Sequence, residues 1–590
     1  MITIKDLANN IRYYTGNRLI PIIFAFLLSE TICIGQNNSI DWLKTAGGKG
    51  SDYINAMTID KSKNIYLCGF IEFAENNSGY GTMYDAIFNQ ITIEPTPSGV
   101  SQFIAKYDSL GIIQWVKTPK KASSCLFHDI VCDSTGNVYV VGEFHEEMIL
   151  DTVVLQSSKY FDAFIAKLDS SGKVKWVIQG KSYNARATSI KFDNDNNLIV
   201  SGNTTDTLYL GKHRIPGGEF ISKIDIDGNI IWTSGIHQNN YNTTLAVYNQ
   251  NLSIDKNGNI YSIGRYTGEL SSKDTTLSCQ DRYELYVSKY SKEGNLIWIK
   301  NFQDPYFATQ LSTGRSIITY PNNDIGILGE FTGDATIGST YMHGASTGLN
   351  SPFIARLTPD GDIKWANNLK GTIIHDMTTQ NDSTYVTGYI DETLSLDSIT
   401  IKTTGSRDIF LAQIGPTGEL SWACAFGGSG NQSGDVLVTN NKDIYLGAEF
   451  RCNASIKDYN LSTYGEYSCY YDKSDFLIMK LNKYAFMKNL NGTTDINANP
   501  NNKQTNITIY PNPSTNRICV ELNNLYFGEA TIRILNIEGK TIIKESLYKN
   551  SCNYSKIMDI ANLKSGLYIV VVNLVNEILS QKITIQSAWQ

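Results

Sequence analysis

Carboxylate and amide side chains recur at alternate positions in three short stretches of the sequence. The triplets are Asp193, Asp195 and Asn197; Asp225, Asp227 and Asn229; and Asp255, Asn257 and Asn259. Calcium loops use oxygen ligands at alternate positions of this kind. None of the triplets is followed by the bidentate Glu of an EF-hand, and Asp and Asn are also favoured in plain turns. We therefore favour ordinary turns and expect no cofactor, with calcium at the first two triplets as the alternative.

Side chains for acid–base or nucleophilic catalysis form no recognisable constellation. The six histidines (128, 145, 213, 237, 343 and 375) include no HExxH pair, and the sequence contains no GxSxG elbow. His128, Glu143 and His145 are the nearest approach to a catalytic cluster, and their spacing matches no known signature. The sequence therefore predicts a protein without catalytic residues.

The elements that position these side chains are repeated strands and turns. A G-x-h-x-W frame, where h is apolar, recurs about 60 residues apart and ends a motif such as "FIAKLDSSGKVKWV" from Phe164. Its tryptophans are Trp115, Trp176, Trp232, Trp298, Trp365 and Trp422. A second signature, such as "DSTGNVYVVG" from Asp133, precedes most copies. Alternating apolar residues around D-x-x-G turns predict hairpins, and about four strands in each repeat predict propeller blades.

The last repeat lacks its own tryptophan strand. "DFLIMKLNKYAF" from Asp475 is followed by no G-x-h-x-W, whereas "WLKTAGGKGSD" at Trp42 aligns with "WACAFGGSGNQSGD" at Trp422. Because an incomplete ring would expose unpaired strand edges, we expect the Trp42 strand to complete the last blade. The sequence thus predicts an all-β, seven-bladed propeller over residues 36–484.

A basic side chain also recurs in the repeat frame, and in three of its six copies it stands two residues before a turn Asp. Its members are Lys106, Lys167, Lys223, Lys289, Arg356 and Lys480. They could form a ring that faces the channel, but we favour side chains that pair with the turn Asp of the same strand. Ligand contacts are expected instead in the non-repeating insertions, such as residues 72–100 and 451–474.

The repeat pattern resembles the SBBP-type β-propeller repeats of secreted bacterial proteins. The resemblance covers residues 42–484 and recurs in frame. A weaker likeness is to the tryptophan-docking repeats of quinoprotein propellers, whose A-x-D-x-x-G-x-x-x-W is close to "AKLDSSGKVKW". Both resemblances imply a propeller, and the second keeps open quinoprotein-like chemistry.

The beginning of the chain predicts export. Lys5, Arg12 and Arg18 precede the apolar run "LIPIIFAFLL", which is too short for a membrane helix and is typical of a signal peptide. We place cleavage between Gly35 and Gln36, which makes residues 1–35 the signal peptide. No later stretch of the mature chain is long and apolar enough to span a membrane. A net charge of −7 and the lack of any basic cluster argue against nucleic-acid binding.

The end of the chain contains a separate module. After an Asn-rich linker at 485–505, "YPNPS", "LNIEGK", "DIANLKSGLYIVVV" and "KITIQ" occur in order within residues 506–590. This series resembles the type A C-terminal sorting domain of the type IX (Por) secretion system of Bacteroidota. The resemblance implies a small Ig-like β-sandwich that engages the secretion machinery and directs the protein outside the cell or onto its surface.

These features together predict a secreted or cell-surface binding protein without catalytic activity, with a glycan or protein ligand. The alternative is an extracellular hydrolase, lyase or quinoprotein-like oxidoreductase with its site in the propeller channel.

Overall fold

The computed structural model describes residues 40–585 with internal gaps. The gaps are 74–83, 97–98, 239–246, 272–274, 303–309, 345–349, 397–398, 429, 441, 452, 457–458, 464–472, 483–505, 511–513, 515, 524–527, 537–539, 550–552 and 575–577. The predicted signal peptide with Gly35 and Gln36, and the predicted linker at 485–505, lie outside the described residues. All regular elements of the described part are β-strands, and none of it is a helix able to cross a membrane.

The repeat region begins with β1 (Ile40–Ala46) and continues as antiparallel units of four strands. Unit 1 contains β2 (Tyr53–Ile59), β3 (Ile65–Glu72), β6 (Val100–Tyr107) and β7 (Ile113–Lys117), with the side hairpin β4 (Ala86–Phe88) and β5 (Ile91–Ile93). Unit 2 contains β8 (Lys121–Cys132), β9 (Val138–Leu150), β10 (Val153–Leu168) and β11 (Val174–Lys181). Unit 3 contains β12 (Ala185–Phe192), β13 (Leu198–Thr204), β16 (Gly218–Ile224) and β17 (Ile230–Gln238), with the hairpin β14 (Leu208–Leu210) and β15 (His213–Ile215).

The next units repeat this order. Unit 4 contains β18 (Val247–Ile254), β19 (Ile260–Ser271), β20 (Thr276–Tyr290) and β21 (Leu296–Asn301). Unit 5 contains β22 (Gln310–Thr319), β23 (Ile325–Thr332), β26 (Ser351–Leu357) and β27 (Ile363–Asn368), with the hairpin β24 (Asp334–Ile337) and β25 (Thr340–His343). Unit 6 contains β28 (Thr372–Gln380), β29 (Ser383–Leu396), β30 (Ile399–Ile414) and β31 (Leu420–Phe426). Unit 7 contains β32 (Gln432–Thr439), β33 (Asp443–Arg451) and β36 (Ser474–Asn482), with the hairpin β34 (Asn453–Ile456) and β35 (Tyr459–Ser462).

The first strands of the units contact one another in sequence around a common axis. Strand β8 contacts both β2 and β12, and the series continues through β18, β22 and β28 to β32, which returns to contact β2. Buried apolar side chains of neighbouring units pack between the sheets, as Ile54 and Phe103 of unit 1 do with Tyr445 and Phe476 of unit 7. The arrangement is therefore propeller-like, as the repeats predict.

Strand β1 supplies the fourth strand of unit 7. It pairs antiparallel with β36, with Trp42 opposite Lys480 and Ala46 opposite Phe476. Ile40 and Leu43 are buried among the apolar residues of units 6 and 7. The two strands come from opposite ends of the repeat region, so their pairing joins the first unit to the last.

The repeated tryptophans all lie on fourth strands and contact the following unit. The indole N–H groups of Trp42, Trp115, Trp176 and Trp365 donate to main-chain carbonyls in the next unit's turn, at Ser109, Ser170, Ile226 and Pro416, over 2.9 to 3.3 Å. Trp232 and Trp298 lie against Gly294 and Gly361 of the corresponding turns. These six tryptophans are half-buried, and they lie on the strands farthest from the first strands of their units.

The repeated basic side chains strengthen the same contact. The Ser170 carbonyl also accepts a hydrogen bond from Lys106, and the Ile226 carbonyl accepts one from Lys167. The preferred expectation, pairing with the turn Asp of the same strand, is wrong for these lysines, because the neighbouring unit's carbonyl is the acceptor. Lys223 does pair with a carboxylate, but that of Asp193 in another turn of its own unit, 2.7 Å away.

The contact between units 6 and 7 differs because no turn joins β36 to β1. Trp422 of unit 6 therefore donates to the Oε1 of Gln413 in its own unit, over 2.7 Å, and its side chain is only 8% exposed. Gln413 occupies the position that is basic in the other units. A lysine there would lack the turn carbonyl that Lys106 and Lys167 find, whereas a glutamine can accept the indole N–H.

The C-terminal module consists of two antiparallel sheets. One contains β37 (Asn506–Tyr510), β38 (Arg517–Asn523) and β41 (Asn553–Asp559); the other contains β39 (Gly528–Leu535), β40 (Thr541–Lys549), β42 (Gly566–Asn573) and β43 (Ile578–Ile585). Side chains from both sheets, including Val520, Ile532 and Val570, form one buried core. This module is thus built around a hydrophobic core of its own.

Deleting residues 36–45 tests the closure by β1. We expect the free energy of unfolding to fall by about 5 kcal/mol, because Ile40 and Leu43 leave the core and Trp42 leaves unit 1. Chemical denaturation would measure the change. A control deletion of residues 36–39 alone should alter stability by less than about 0.5 kcal/mol. Equal stability of the two truncated proteins would contradict the closure.

The glycine of each turn can be tested against its tryptophan. Gly228 has a φ of +92°, and a Cβ there would lie 3.2 Å from the Trp176 ring, whereas Gly268 has a φ of +76° with nothing within 4 Å. Both Gly→Ala changes strain the backbone, so Gly228→Ala should cost about 1 kcal/mol more than Gly268→Ala by chemical denaturation. The excess should disappear when Trp176→Ala is also present. An equal cost at both glycines would show that the tryptophan contact is loose.

Candidate functional site

The first strands of the units enclose a cavity of about 480 Å³ on the axis. Every unit contributes to its wall. The volume lies within the range of sites that bind small ligands. The axis is therefore the natural place to look for a functional site.

The first strand of every unit contains a β-bulge at the same position. The register shifts fall between Ile54 and Ala56, Phe127 and Asp129, Ala187 and Ser189, Asn249 and Asn251, Gly314 and Ser316, Ile374 and Asp376, and Gly434 and Val436. The extra residues are Asn55, His128, Thr188, Gln250, Arg315, His375 and Asp435, which we call the bulge ring. All of them line the cavity. A bulge re-aims the side chain that it carries, and bulges are common beside functional sites.

The bulge ring combines one backbone geometry with different polar groups. It offers two imidazoles, one guanidinium, one carboxylate, two amides and one hydroxyl. The variety gives the cavity wall both hydrogen-bond donors and acceptors, which suits a polar ligand.

An ion pair crosses the wall between units 2 and 3. The Asp129 carboxylate lies 2.6 Å from Lys191 Nζ and also accepts hydrogen bonds from the Ser189 hydroxyl and the Ile190 N–H. It thereby fastens β8 to β12 beside the bulge of His128. Asp129 thus holds two first strands together while it lines the cavity.

Asp376 plays a similar part between units 6 and 7. Its carboxylate accepts hydrogen bonds from the backbone N–H groups of Leu437 and Met377, at 2.9 and 2.8 Å. Burial raises the pKa of Asp376 to about 6, against the opposing effects of these N–H groups and of Lys191, while Asp129 raises it further. Asp376 is therefore influenced by the ion pair of units 2 and 3, although it belongs to unit 6.

His375 lies between a serine and a carboxylate but does not form a catalytic triad. Ser433 Oγ is 3.2 Å and Asp435 Oδ1 is 3.6 Å from the same ring nitrogen, Nδ1. A triad needs the nucleophile and the orienting carboxylate on opposite nitrogens of the imidazole. Burial raises the pKa of Asp435 to about 7, opposed by the hydrogen bond from His375. The arrangement links units 6 and 7 without a proton relay to Ser433.

The sequence-predicted cluster of unit 2 is only partly assembled. Glu143 lies 2.6 Å from Arg186 Nε, and His128 Nε2 is 3.9 Å from the Glu143 carboxylate. Burial raises the pKa of Glu143 to about 7, and burial together with Arg186 lowers the pKa of His128 to about 4. His145 contacts Tyr160 and Phe161 instead, with ring centroids 5.2 and 5.5 Å away. Arg186, which the sequence analysis did not single out, organises this cluster.

The candidate calcium triplets lie in turns away from the cavity wall. Asp193 Oδ1 accepts the N–H groups of Asp195 and Asn197, and Asp225 Oδ1 accepts those of Asp227 and Asn229. The Asp255 carboxylate accepts those of Asn257 and Asn259 in the same way. Three or more His, Cys, Asp or Glu side chains come together as a metal site nowhere in the described part of the chain. The Oδ1 atom of the first Asp in each triplet is thus already a hydrogen-bond acceptor within its own turn.

The units have two different ends. The turns that join first to second and third to fourth strands, such as 133–137 and 169–173, lie at one end, which we call the turn face. The opposite end, the loop face, carries the links between units and the connections from second to third strands, including the described parts of the insertions at 72–100 and 451–474. Since the turn face is occupied by repeated turns and their tryptophan contacts, variation is concentrated on the loop face.

A pH titration of stability tests the environment of Asp435. The folded-state pKa of this carboxyl is raised, so its contribution to stability is full below about pH 4 and is lost as the pH rises towards 7. Relative to Asp435→Asn, the unmodified protein should lose on the order of 2 kcal/mol between pH 4 and pH 8 by chemical denaturation. For the control Asp169→Asn, the stability difference from the unmodified protein should change with pH in the opposite direction. The reason is that the Ser171 hydroxyl lowers the pKa of the Asp169 carboxyl. A pH-independent difference for Asp435→Asn would mean that its carboxyl is not buried.

Known proteins similar to the chain include distant relatives. The chain is 23% identical over 425 residues to an uncharacterised WD repeat-containing protein of Acanthamoeba polyphaga mimivirus. The aligned region covers 60% of this chain and 30% of that relative. Solved structures similar to the chain include the plexin A4 extracellular region (TM-score 0.32, 9% identity, 79% of this chain and 61% of that one). Another is an apocarotenoid oxygenase of Synechocystis (TM-score 0.30, 9% identity, 66% of this chain and 93% of that one). These scores are too low to indicate an activity.

The C-terminal module has a specific match. Residues 508–586 match the secretion system C-terminal sorting domain family, in agreement with the order of motifs from "YPNPS" to "KITIQ". Such a domain engages the type IX secretion machinery. The C-terminal module is therefore a sorting domain of this family, and the protein is exported by the type IX system to the cell surface or the extracellular space.

Proposed function

We propose that the protein is a non-catalytic binding protein that acts outside the cell and takes a polar ligand at the loop face and axis of its propeller. The observation that supports this most directly is the bulge ring. It places one polar side chain from each unit around one cavity. Export by the type IX system makes an extracellular glycan or protein the relevant class of ligand.

The proposal includes a finer account of the architecture. Units 1 to 7 are the blades of a seven-bladed propeller built from SBBP-type repeats and closed by β1. The two C-terminal sheets form a small Ig-like sandwich around their shared core. The contacts of the first strands and the regular tryptophan contacts support the blade assignment.

Binding is favoured over catalysis by the partners of the charged groups. Asp129 and Asp376 accept backbone N–H groups of neighbouring strands, which is a structural use of a carboxylate. His375 has both polar neighbours on one nitrogen and so lacks the geometry of a general base for Ser433. Each of these groups fixes the wall, and a fixed wall favours preorganised recognition.

An extracellular enzyme is the second candidate, and Asp376 is the observation that favours it. Burial raises the pKa of this cavity carboxyl to about 6, which suits a general acid near neutral pH. A hydrolase or lyase would use it together with Asp129 or Asp435, which line the same cavity. Quinoprotein-like oxidation would need a calcium cluster, and the Asp triplets lie in turns outside the wall.

A binding array combined with a turnover screen tests the proposal. The full mature protein would be applied to arrays of glycans and of cell-surface proteins and, in parallel, to hydrolase, lyase and dye-linked dehydrogenase substrates. We expect specific binding without turnover, and the double variant Gln250→Ala/Arg315→Ala should weaken that binding about tenfold or more.

The matched control is Lys292→Ala/Glu293→Ala on the turn face, where both side chains are exposed. This variant should bind as the unmodified protein does. Turnover that survives purification and is lost in Asp376→Asn would overturn the proposal in favour of the enzyme. If the Gln250→Ala/Arg315→Ala variant bound as tightly as the unmodified protein, the ligand site would lie elsewhere.

A further inference from the structure

We propose that Tyr160 and Tyr183 form a sugar-binding platform on the loop face, where a glycan chain stacks one of its rings and extends towards the cavity. This inference rests on the proposed binding function and specifies its ligand class. The platform lies where unit 2 meets the link to unit 3, and no part of the repeat pattern accounts for it.

The two tyrosines are held in parallel by their backbones. The Tyr160 N–H donates to the Tyr183 carbonyl over 3.1 Å, and the next residues, Phe161 and Asn184, form a parallel bridge. The phenol rings are 6.4 Å apart between centroids, and their planes differ by 8°. Tyr160 is 52% exposed and Tyr183 is 53% exposed. Both rings are therefore about half exposed, and the backbone contact holds them nearly parallel.

The repeat architecture does not require aromatic residues here. Unit 6 has the same parallel bridge, between Arg407 and Asn431, and the residues that precede this pair are Ser406 and Gly430. The bridge therefore forms without tyrosines. Since adjacent exposed aromatic rings leave apolar surface in water, a pair that folding does not need indicates a binding surface.

Polar side chains continue from the platform to the cavity. Lys159 Nζ lies 5.7 Å from the Tyr183 ring centroid, and the Arg186 guanidinium lies 5.9 Å from that of Phe161. Arg186 pairs with Glu143, and Glu143 lies beside His128 of the bulge ring. A chain of side-chain contacts thus connects the platform to His128 on the cavity wall, through Arg186 and the buried Glu143.

This combination fits a glycan better than a folded protein partner. The C–H groups of a pyranose face pack against the electron-rich face of an aromatic ring, while its hydroxyls pair with planar groups such as guanidinium and imidazole. A protein hot spot would instead need a surrounding apolar contact that excludes water. Here the neighbours of the rings are Lys159, His145 and Phe161, and Arg186 lies against Phe161. Polar groups therefore lie beside the stacking surface, which favours a hydroxyl-rich ligand.

Calorimetric titration of the full mature protein with defined hexasaccharides tests the platform. The probes would be hexasaccharides of β-linked glucose, xylose, mannose and N-acetylglucosamine. We expect at least one to bind, and the double variant Tyr160→Ala/Tyr183→Ala to bind it about tenfold more weakly or worse. The variant Tyr160→Phe/Tyr183→Phe keeps the ring faces and should retain affinity within about threefold, which separates stacking from loss of fold.

Tyr341→Ala is the matched control, since Tyr341 is 50% exposed on the side hairpin of unit 5. The Tyr341→Ala variant should bind the hexasaccharide with the same affinity as the unmodified protein. Absence of binding to all four probes would overturn the platform, as would equal affinity of the Tyr160→Ala/Tyr183→Ala variant. If that variant binds normally while Gln250→Ala/Arg315→Ala does not, the platform fails but the binding function stands.

Discussion

Strand β1 pairs with β36 although the two are separated by almost the whole repeat region, and the other contacts between units depend on this pairing. Each unit buries apolar side chains against its neighbours, so a ring without closure would leave two unpaired faces. The pairing covers them with Ile40 and Leu43 and also brings Trp42 to the turn of unit 1. One antiparallel contact thereby lets every unit have two neighbours, which is the condition for a closed cavity on the axis.

Closure also explains where the repeat departs from its own pattern. Lysine and tryptophan share a carbonyl in the next turn at units 1 and 2, which requires a continuous turn there. Unit 7 has two chain segments in that place, and the preceding unit carries Gln413 and a buried Trp422. The same physical need, a partner for a buried indole N–H, is thus met in two ways.

The division between the two faces follows from the same construction. Turns that receive a tryptophan need a glycine with positive φ and a close approach, so the turn face allows little variation. The loop face carries no such requirement. On this face the tyrosine pair beside unit 2 stands where unit 6 has serine and glycine, and on the axis the bulge ring changes its side chain between units. Because the repeated tryptophan contacts lie on the turn face, residues on the loop face can vary without loss of those contacts.

The sequence by itself determined the features that depend on local pattern. Alternation, D-x-x-G turns and the tryptophan frame indicated strands and hairpins, the alignment of Trp42 with Trp422 indicated the closing strand, and the motif order from "YPNPS" onwards indicated the sorting domain. The bulge ring was not evident, because a bulge is defined by pairing with another strand and one strand's residues do not show it. The lysine partners were mistaken for the same reason, since the accepting carbonyls belong to the next unit. Only the tertiary structure brought Arg186 of unit 3 to Glu143 and His128 of unit 2, and placed Tyr160 beside Tyr183. These contacts join segments that are separate in the sequence, so no local pattern shows them.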